Sequence, residues 1–203
     1  MKIGPKFKIA KRLGAPIFEK TQTQKFALSE ARAGKRRTGR RPAQASDFKK
    51  QLIEKQKMRF SYGISEKQLR RYVTESVAKG DLPIQTLFER LESRLDNAVY
   101  RLGLAPTRQA SRQMVSHGHV MVNGKRMTVP SHQVRVTDEI SVRTQSKDKG
   151  LFSTIAEDHS QNGVPSWLTF DLKALTGTVK GTPVYEPSET LFDPELVLEY
   201  YSR

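Results

Sequence analysis

Thr107-Arg108-Gln109-Ala110-Ser111-Arg112-Gln113-Met114-Val115-Ser116-His117-Gly118-His119-Val120-Met121-Val122-Asn123-Gly124 is the stretch from which the rest of the chain can be read. Thr107 is a good helix N-cap, Ala110, Met114 and Val115 recur on one side, and Gly118 is a stop. His119-Val120-Met121-Val122 then alternates like a half-buried strand. Asn123-Gly124 is the strongest short-range hairpin signal, because a two-residue turn needs positive φ at both central positions. Arg108 and Arg112, four residues apart, share a helical face beside Asn123, Lys125 and Arg126 at the turn. A helix running into a hairpin in this way makes an L-shaped, concave, basic surface. Such a surface suits nucleic acid recognised by backbone shape rather than base sequence.

Outward from this stretch, Val134, Val136, Ile140 and Val142 supply further strand positions. Upstream, Pro83 opens a helix in which Leu87, Leu91, Leu95, Ala98, Val99 and Leu102 keep helical spacing up to Gly103. Ser65 and Gln68 have capping-box spacing ahead of a stripe of Leu69, Tyr72, Val73, Ser76 and Val77 that Gly80 ends, with Lys67, Arg70 and Arg71 on the exposed face. Ser46 caps a helix from Asp47 to about Tyr62, with Phe48, Leu52, Ile53 and Phe60 on one side and Lys49, Lys50 and Lys57 elsewhere. Downstream, Gln145 to Gly150 reads as a polar linker, and Trp167 to Phe170 and Leu196 to Tyr201 are the clearest ordered segments beyond it. The fold class is α+β, helices first and a small antiparallel sheet after them.

The charge is large and unevenly placed. The 203 residues carry 36 Lys plus Arg against 21 Asp plus Glu, a net charge of +15, which favours a polyanionic partner. Residues 1–50 hold 15 basic and 3 acidic side chains, whereas residues 151–203 hold 3 and 8. The front is read as facing phosphate and the tail as facing protein or solvent, a merely solvated charged surface being the alternative. Residues 2–42 are rich in Gly, Thr, Gln, Lys and Arg, and their apolar content is expected to be too small for folding without RNA.

Several function classes find no support. With no Cys there is no disulfide, thiolate metal site or Cys nucleophile, and a reducing compartment fits. Neither a phosphate-cradling Gly-Lys-Ser/Thr loop nor a serine nucleophile elbow nor a His-Glu-x-x-His zinc motif occurs. Glu89, Glu92 and Asp96 fall at i, i+3 and i+7, but with Arg90 and Arg94 beside them they read as a salt-bridged surface. His117 and His119 are the one metal-ligand pair in sight; a role in capping backbone groups or touching phosphate suits them better. Tyr62, Tyr72 and Tyr100 lie beside basic residues, with core positions preferred over base stacking. No apolar run spans a membrane, and Met1 to Phe18 lacks a signal-peptide core, so a soluble, unsecreted protein is expected. An organellar transit segment remains open, since Glu19 and Glu30 are the only acids in the first 41 residues.

The stretch Ser93-Arg94-Leu95-Asp96-Asn97-Ala98-Val99-Tyr100-Arg101-Leu102-Gly103, continued by Thr107 to Gly124, closely resembles the α-L RNA-binding module. That module also occurs in pseudouridine synthases, some tyrosyl-tRNA synthetases and heat-shock RNA-binding proteins, so the flanks decide. Gly4-Pro5-Lys6-Phe7-Lys8, Glu54 to Ile64 with Gln68-Leu69, and Glu199-Tyr200-Tyr201-Ser202-Arg203 resemble the small-subunit ribosomal protein S4 family. The resemblance is clearest from about Ser46 to Arg143. It implies an early-binding assembly protein on 16S-type ribosomal RNA, placed near the path of incoming messenger RNA and influencing decoding accuracy. Its implied neighbours are other small-subunit proteins, ribosomal proteins S5 and S3, with no cofactor, metal, membrane or small-molecule substrate. It also implies a basic extension over residues 1–45, a helical domain over 46–90 joined by 185–203, and an α-L domain over 91–184.

The residues expected to meet RNA are Lys2, Lys6, Lys8, Lys11, Arg12, Arg36, Arg37, Arg40 and Arg41 in the extension and Lys49, Lys50, Lys57, Arg59, Arg70 and Arg71 on the helices. In the module they are Arg94, Arg108, Arg112, His117, His119, Asn123, Lys125 and Arg126. Glu199, Tyr200 and Tyr201 are expected to meet a protein. Two departures from the family pattern stand out. Residues 20–45 lack the Cys with which many relatives bind zinc, and the usual Gly-Asp before the last module strand reads Thr137-Asp138. An enzyme docking through the module is the main rival from another class and a free RNA chaperone the third reading. Roughly 50 residues after the module do not leave room for a catalytic domain of typical size.

Overall fold

The computed structural model describes residues 3–35, 46–147, 163–172 and 174–202. They form two compact units, Met1–Ile84 with Glu186–Arg203, and Gln85–Tyr185. Among the described residues no helix is long and apolar enough to cross a membrane.

The first unit contains α1 (Lys6–Leu13), α2 (Gln24–Lys35), α3 (Asp47–Ser61), α4 (Glu66–Ala78) and α9 (Pro194–Tyr201). The basic N-terminal stretch, expected to lack the apolar surface to fold, is helical in its described part. Its few apolar residues are gathered rather than spread: Ala10, Leu13, Ile17, Phe18 and Phe26 are buried together, with Ile53 and Phe60 of α3 packed against them. Ser46 and Ser65 cap α3 and α4 by accepting from the Lys49 and Gln68 amides, as their spacing predicts. The inward face of α3 differs from expectation. Gln51, Lys55 and Met58 are buried, while Phe48 is exposed and meets the Tyr200 ring at 5.7 Å, because α9 lies along this side of α3. On α4, Val77 at the end of the stripe is 55% exposed.

The second unit holds most of α5 (Pro83–Glu92), then α6 (Leu95–Arg101), α7 (Arg108–Ser116) and α8 (Thr144–Lys147). Its sheet is antiparallel in the order β2-β1-β3-β5-β4: β1 (Val120–Val122), β2 (Lys125–Arg126), β3 (Glu139–Val142), β4 (Leu168–Asp171) and β5 (Thr176–Val179). Val122 pairs with Lys125, so Asn123 (φ 50) and Gly124 (φ 74) form the expected two-residue turn. Leu95, Ala98, Val99, Leu102, Met114, Val115, Val120, Val122, Ile140, Val142, Trp167, Leu168 and Val179 fill the space between helices and sheet.

The single helix expected from Pro83 to Gly103 is instead broken at Ser93-Arg94. The first amides of a helix have no acceptor within it. Here Leu95 N donates to the His132 carbonyl at 2.8 Å and Asp96 N to the Pro130 carbonyl at 3.1 Å, and Val134 N returns a bond to the Ser93 carbonyl. The loop before β3 thus supplies acceptors that periodicity does not reveal. The expected polar linker begins as α8, and its remainder lies outside the described residues. Val136, expected in a strand, lies in the loop and is exposed.

Candidate nucleic-acid interface

α7 is capped by Thr107, whose hydroxyl accepts from Ala110 N at 3.0 Å, and Met114 and Val115 hold it against the core. That fixes Arg108 and Arg112 on its other side. Arg108 Nε donates to Asn97 Oδ1 at 2.8 Å, its guanidinium lies 4.5 Å above the Tyr100 ring, and its Nη2 is 3.9 Å from Glu92 Oε1. Glu92 is 1% exposed and also accepts both guanidinium arms of Arg101, at 2.8 and 3.2 Å, and the Asn97 amide at 2.9 Å. Arg112 Nε stands 4.0 Å from Asp96 Oδ2, and Asp96 takes a bidentate pair from Arg94 at 2.9 and 2.6 Å. The Ser111 hydroxyl donates to the Asp96 carbonyl, tying α7 to α6.

Two readings change here. Glu92 and Asp96 are not a salt-bridged surface but a buried pair of carboxylates, with four arginines around them. Arg94 is 0% exposed and committed to Asp96, so an RNA contact from it is corrected to an internal ion pair. An isolated buried carboxylate is strongly unfavourable, and a guanidinium whose five donors fork in a plane is the group best suited to satisfy it. The surplus is positive: two acids hold Arg94 inside and keep Arg101, Arg108 and Arg112, 24%, 21% and 34% exposed, at the surface. Their positions are set before any ligand arrives.

At the hairpin, Lys125 and Arg126 are exposed. Arg126 Nη2 donates to the His117 carbonyl at 3.2 Å, resting a cation on the C-terminus of α7. Gly118, at φ 73, makes this possible, because a Cβ there would lie 2.1 Å from Arg126 Nε. Asn123 serves the fold. Its amide donates to Asp138 Oδ1 at 2.8 Å, and its carbonyl oxygen accepts from Glu139 N at 2.9 Å. Thr137, standing where the family pattern has glycine, takes φ 77, and Asp138 closes the loop by accepting from Arg135 N. His117 is exposed, while His119 Nδ1 is 3.0 Å from the Ser146 hydroxyl. The two imidazoles are 6.1 Å apart, and among the described residues no group of three or more His, Cys, Asp or Glu gathers to hold a metal ion.

In the first unit, Lys8, Arg12, Lys49, Lys50, Arg70 and Arg71 are exposed or edge residues of α1, α3 and α4, with Lys50 3.0 Å from Asp47 and Arg71 3.6 Å from Glu75. Lys6 lies 5.6 Å over the Phe18 ring, Lys11 donates to the Ser29 hydroxyl at 2.6 Å, and Lys57 pairs with Glu54 at 2.7 Å. Arg59 lies 4.6 Å over Phe60 and 3.7 Å from Glu66. Lys2, Arg36, Arg37, Arg40 and Arg41 lie outside the described residues. Tyr62 and Tyr72 are core residues.

Glu199, Tyr200 and Tyr201 are engaged within the unit. Glu199 accepts from Gln51 Nε2 at 2.9 Å, Lys55 Nζ sits 4.5 Å over the Tyr200 ring, and Tyr201 donates to Glu66 Oε1 at 2.7 Å. Within the unit these three fasten α9 to α3 and α4, while Glu199 is exposed and Tyr200 and Tyr201 are half-buried. Burial raises the Glu66 carboxyl, but the Lys55 and Tyr201 bonds and the Lys55 and Arg59 charges outweigh it and hold the group below its ordinary value. The Tyr201 phenol is pushed well up by burial, then by its bond to Glu66 and that group's charge. The Lys55 to Glu66 pair, 2.8 Å long with Lys55 nearly buried, left no signal in the sequence beyond two charges among many.

These features define an α-L RNA-binding module joined to a basic helical unit. Residues 93–140 match the model of the S4 domain, and residues 1–92 match that of the ribosomal protein S4/S9 N-terminal domain. The chain is 40% identical over 200 residues to the small ribosomal subunit protein uS4 of Acaryochloris marina, covering 98% of this chain and 96% of that one. Against the protein of that name from Chloroflexus aurantiacus it is 38% identical over 203 residues, covering 99% and 98%. For that of Natranaerobius thermophilus the figures are 40% over 204 residues, 98% and 98%. The chain belongs to the small ribosomal subunit protein uS4 family.

Proposed function

We propose that this protein is a structural constituent of the small ribosomal subunit that binds 16S-type ribosomal RNA, with no catalytic role. The carrying observation is the pair Arg108 and Arg112, partly exposed and anchored on buried Glu92 and Asp96, on the helix whose C-terminus Arg126 of the exposed turn meets. Fixed cations at the inner corner of a helix and a hairpin complement phosphates spaced along a folded RNA, and release its counterions on binding. Exposed Lys8, Lys49, Arg70 and Arg71 extend the contact from the first unit. Family membership supports the finer reading: early binding that nucleates assembly of the subunit body, a place by the path of incoming messenger RNA, contacts with ribosomal proteins S5 and S3, and an effect on decoding accuracy. The protein acts bound to the ribosome, in cytoplasm or organelle. Sedimentation of cell extract tests this directly. The protein is expected to travel with the small subunit at low magnesium, when subunits separate; recovery only in the free protein fraction would reject it.

A further inference from the structure

Between α1 and α3 lies a cavity of about 320 Å³, at the small end of the range of ligand pockets. Ile9 and Leu13 line it from α1, and Leu52, Ile53 and Phe60 from α3. Arg12, Lys49 and Arg59 are its charged lining, and no carboxylate takes part. Gln56 completes the wall, and Gln56 Oε1 and Arg59 Nε are both buried without a hydrogen-bond partner. We infer that this cavity receives one unstacked base of the bound RNA. The inference rests on the RNA-binding reading and adds a base contact to what is otherwise recognition of phosphates.

The chemistry favours a base over other occupants. The walls are apolar and include the Phe60 ring with the Arg59 guanidinium 4.6 Å above it, and a base can extend such a stack on either partner. The lining charge is wholly positive, so the phosphates flanking an inserted nucleotide are attracted rather than repelled. A purely apolar occupant would leave the buried amide oxygen and guanidinium N–H unmet. A base edge carries donors and acceptors side by side and can meet them once the Gln56 amide turns about its soft terminal torsion. Acidic peptide would satisfy the cations but not fill the apolar wall.

The test compares the full chain with its Gln56→Leu variant on small-subunit ribosomal RNA across a series of salt concentrations. Leucine keeps the bulk of the wall and removes the unmet acceptor, so thermal stability is expected to hold or rise. RNA affinity is expected to fall about tenfold, the effect of losing one buried hydrogen bond, with the salt slope unchanged because no phosphate contact is lost. A folded variant with wild-type affinity overturns the pocket and leaves RNA binding intact. Failure of the unaltered chain to bind overturns both. Ultraviolet cross-linking of the unaltered chain to the same RNA gives a check that needs no variant: a single unpaired nucleotide attached within residues 9–13 or 49–60, the two walls of the cavity, is expected. Nucleotide adducts confined to other segments, or a neighbouring protein cross-linked to this wall in intact subunits, overturn the inference.

Discussion

Replacing Arg108 by alanine separates a positioned RNA-binding group from a solvated surface charge. The substitution removes the 2.8 Å bond to Asn97, the stack on Tyr100 and the 3.9 Å approach to Glu92. A hydrogen bond from a charged donor contributes about 1.5–3 kcal/mol, an exposed cation–π contact about 0.5–1 and a partly exposed ion pair about 0–1. Glu92 keeps Arg101 and Asn97, so its carboxylate is not left bare and the full penalty of an unpaired buried charge does not apply. The expected loss is therefore about 2–5 kcal/mol, read by urea denaturation of the full chain. In RNA titrations the same variant is expected to flatten the log–log salt dependence by about 0.7–0.9, one phosphate's worth. Lys125→Ala is the partner experiment. Lys125 is exposed at the turn, so the same flattening is expected with a stability change within about 0.5 kcal/mol. An Arg108→Ala protein of wild-type stability would refute the tether to the buried carboxylate. Unchanged affinity and slope in both variants would refute this face as the RNA-binding surface.

Three further outcomes follow from the geometry. Thr137 is a β-branched residue at φ 77, so Thr137→Gly is expected to relieve about 1–2 kcal/mol and forfeit about 0.4–1 in unfolded-chain entropy, a net gain of up to about 1.6 kcal/mol in urea melts, with a loss of stability contradicting the strain. Gly118→Ala imposes a side chain at φ 73 where Arg126 lies, so a loss of about 1–2 kcal/mol is expected in urea denaturation, with weakened RNA binding in titrations as Arg126 is displaced. Glu66 is held below its ordinary value near 4.5, so the folded state binds its proton more weakly than the unfolded state. Its contribution is present above that pH and lost as pH falls through the lowered value. Acid titration of stability is expected to fall there in the parent and less steeply in Glu66→Gln.

The legible parts of the fold were those whose cause is local. Caps at Ser46, Ser65 and Thr107, the Gly118 stop and the Asn123-Gly124 turn depend on residues within a few positions of one another, and each stands where its spacing puts it. The break at Ser93-Arg94 was not legible, because the acceptors that start α6 belong to Pro130 and His132. Burial of Glu92 and Asp96 was likewise hidden: at helical spacing beside arginines, a carboxylate pattern looks the same whether it faces water or the interior. Only the packing of α7 against α6 decides between them. The basic N-terminal stretch misleads composition for a different reason, since the apolar residues in it are few but lie together on α3. β5, three β-branched residues interrupted by Gly177, shows no apolar alternation that marks a strand and is placed by its pairing with β3 and β4.

The most direct measurement of the central claim is a density map of the assembled small subunit containing this protein. Phosphate oxygens of the ribosomal RNA are expected within hydrogen-bond distance of Arg108, Arg112, Lys125 and Arg126, with Arg94 still turned inward on Asp96. A map in which the face of α7 and the 123–126 turn points to solvent or to another protein, with RNA elsewhere, would contradict the account.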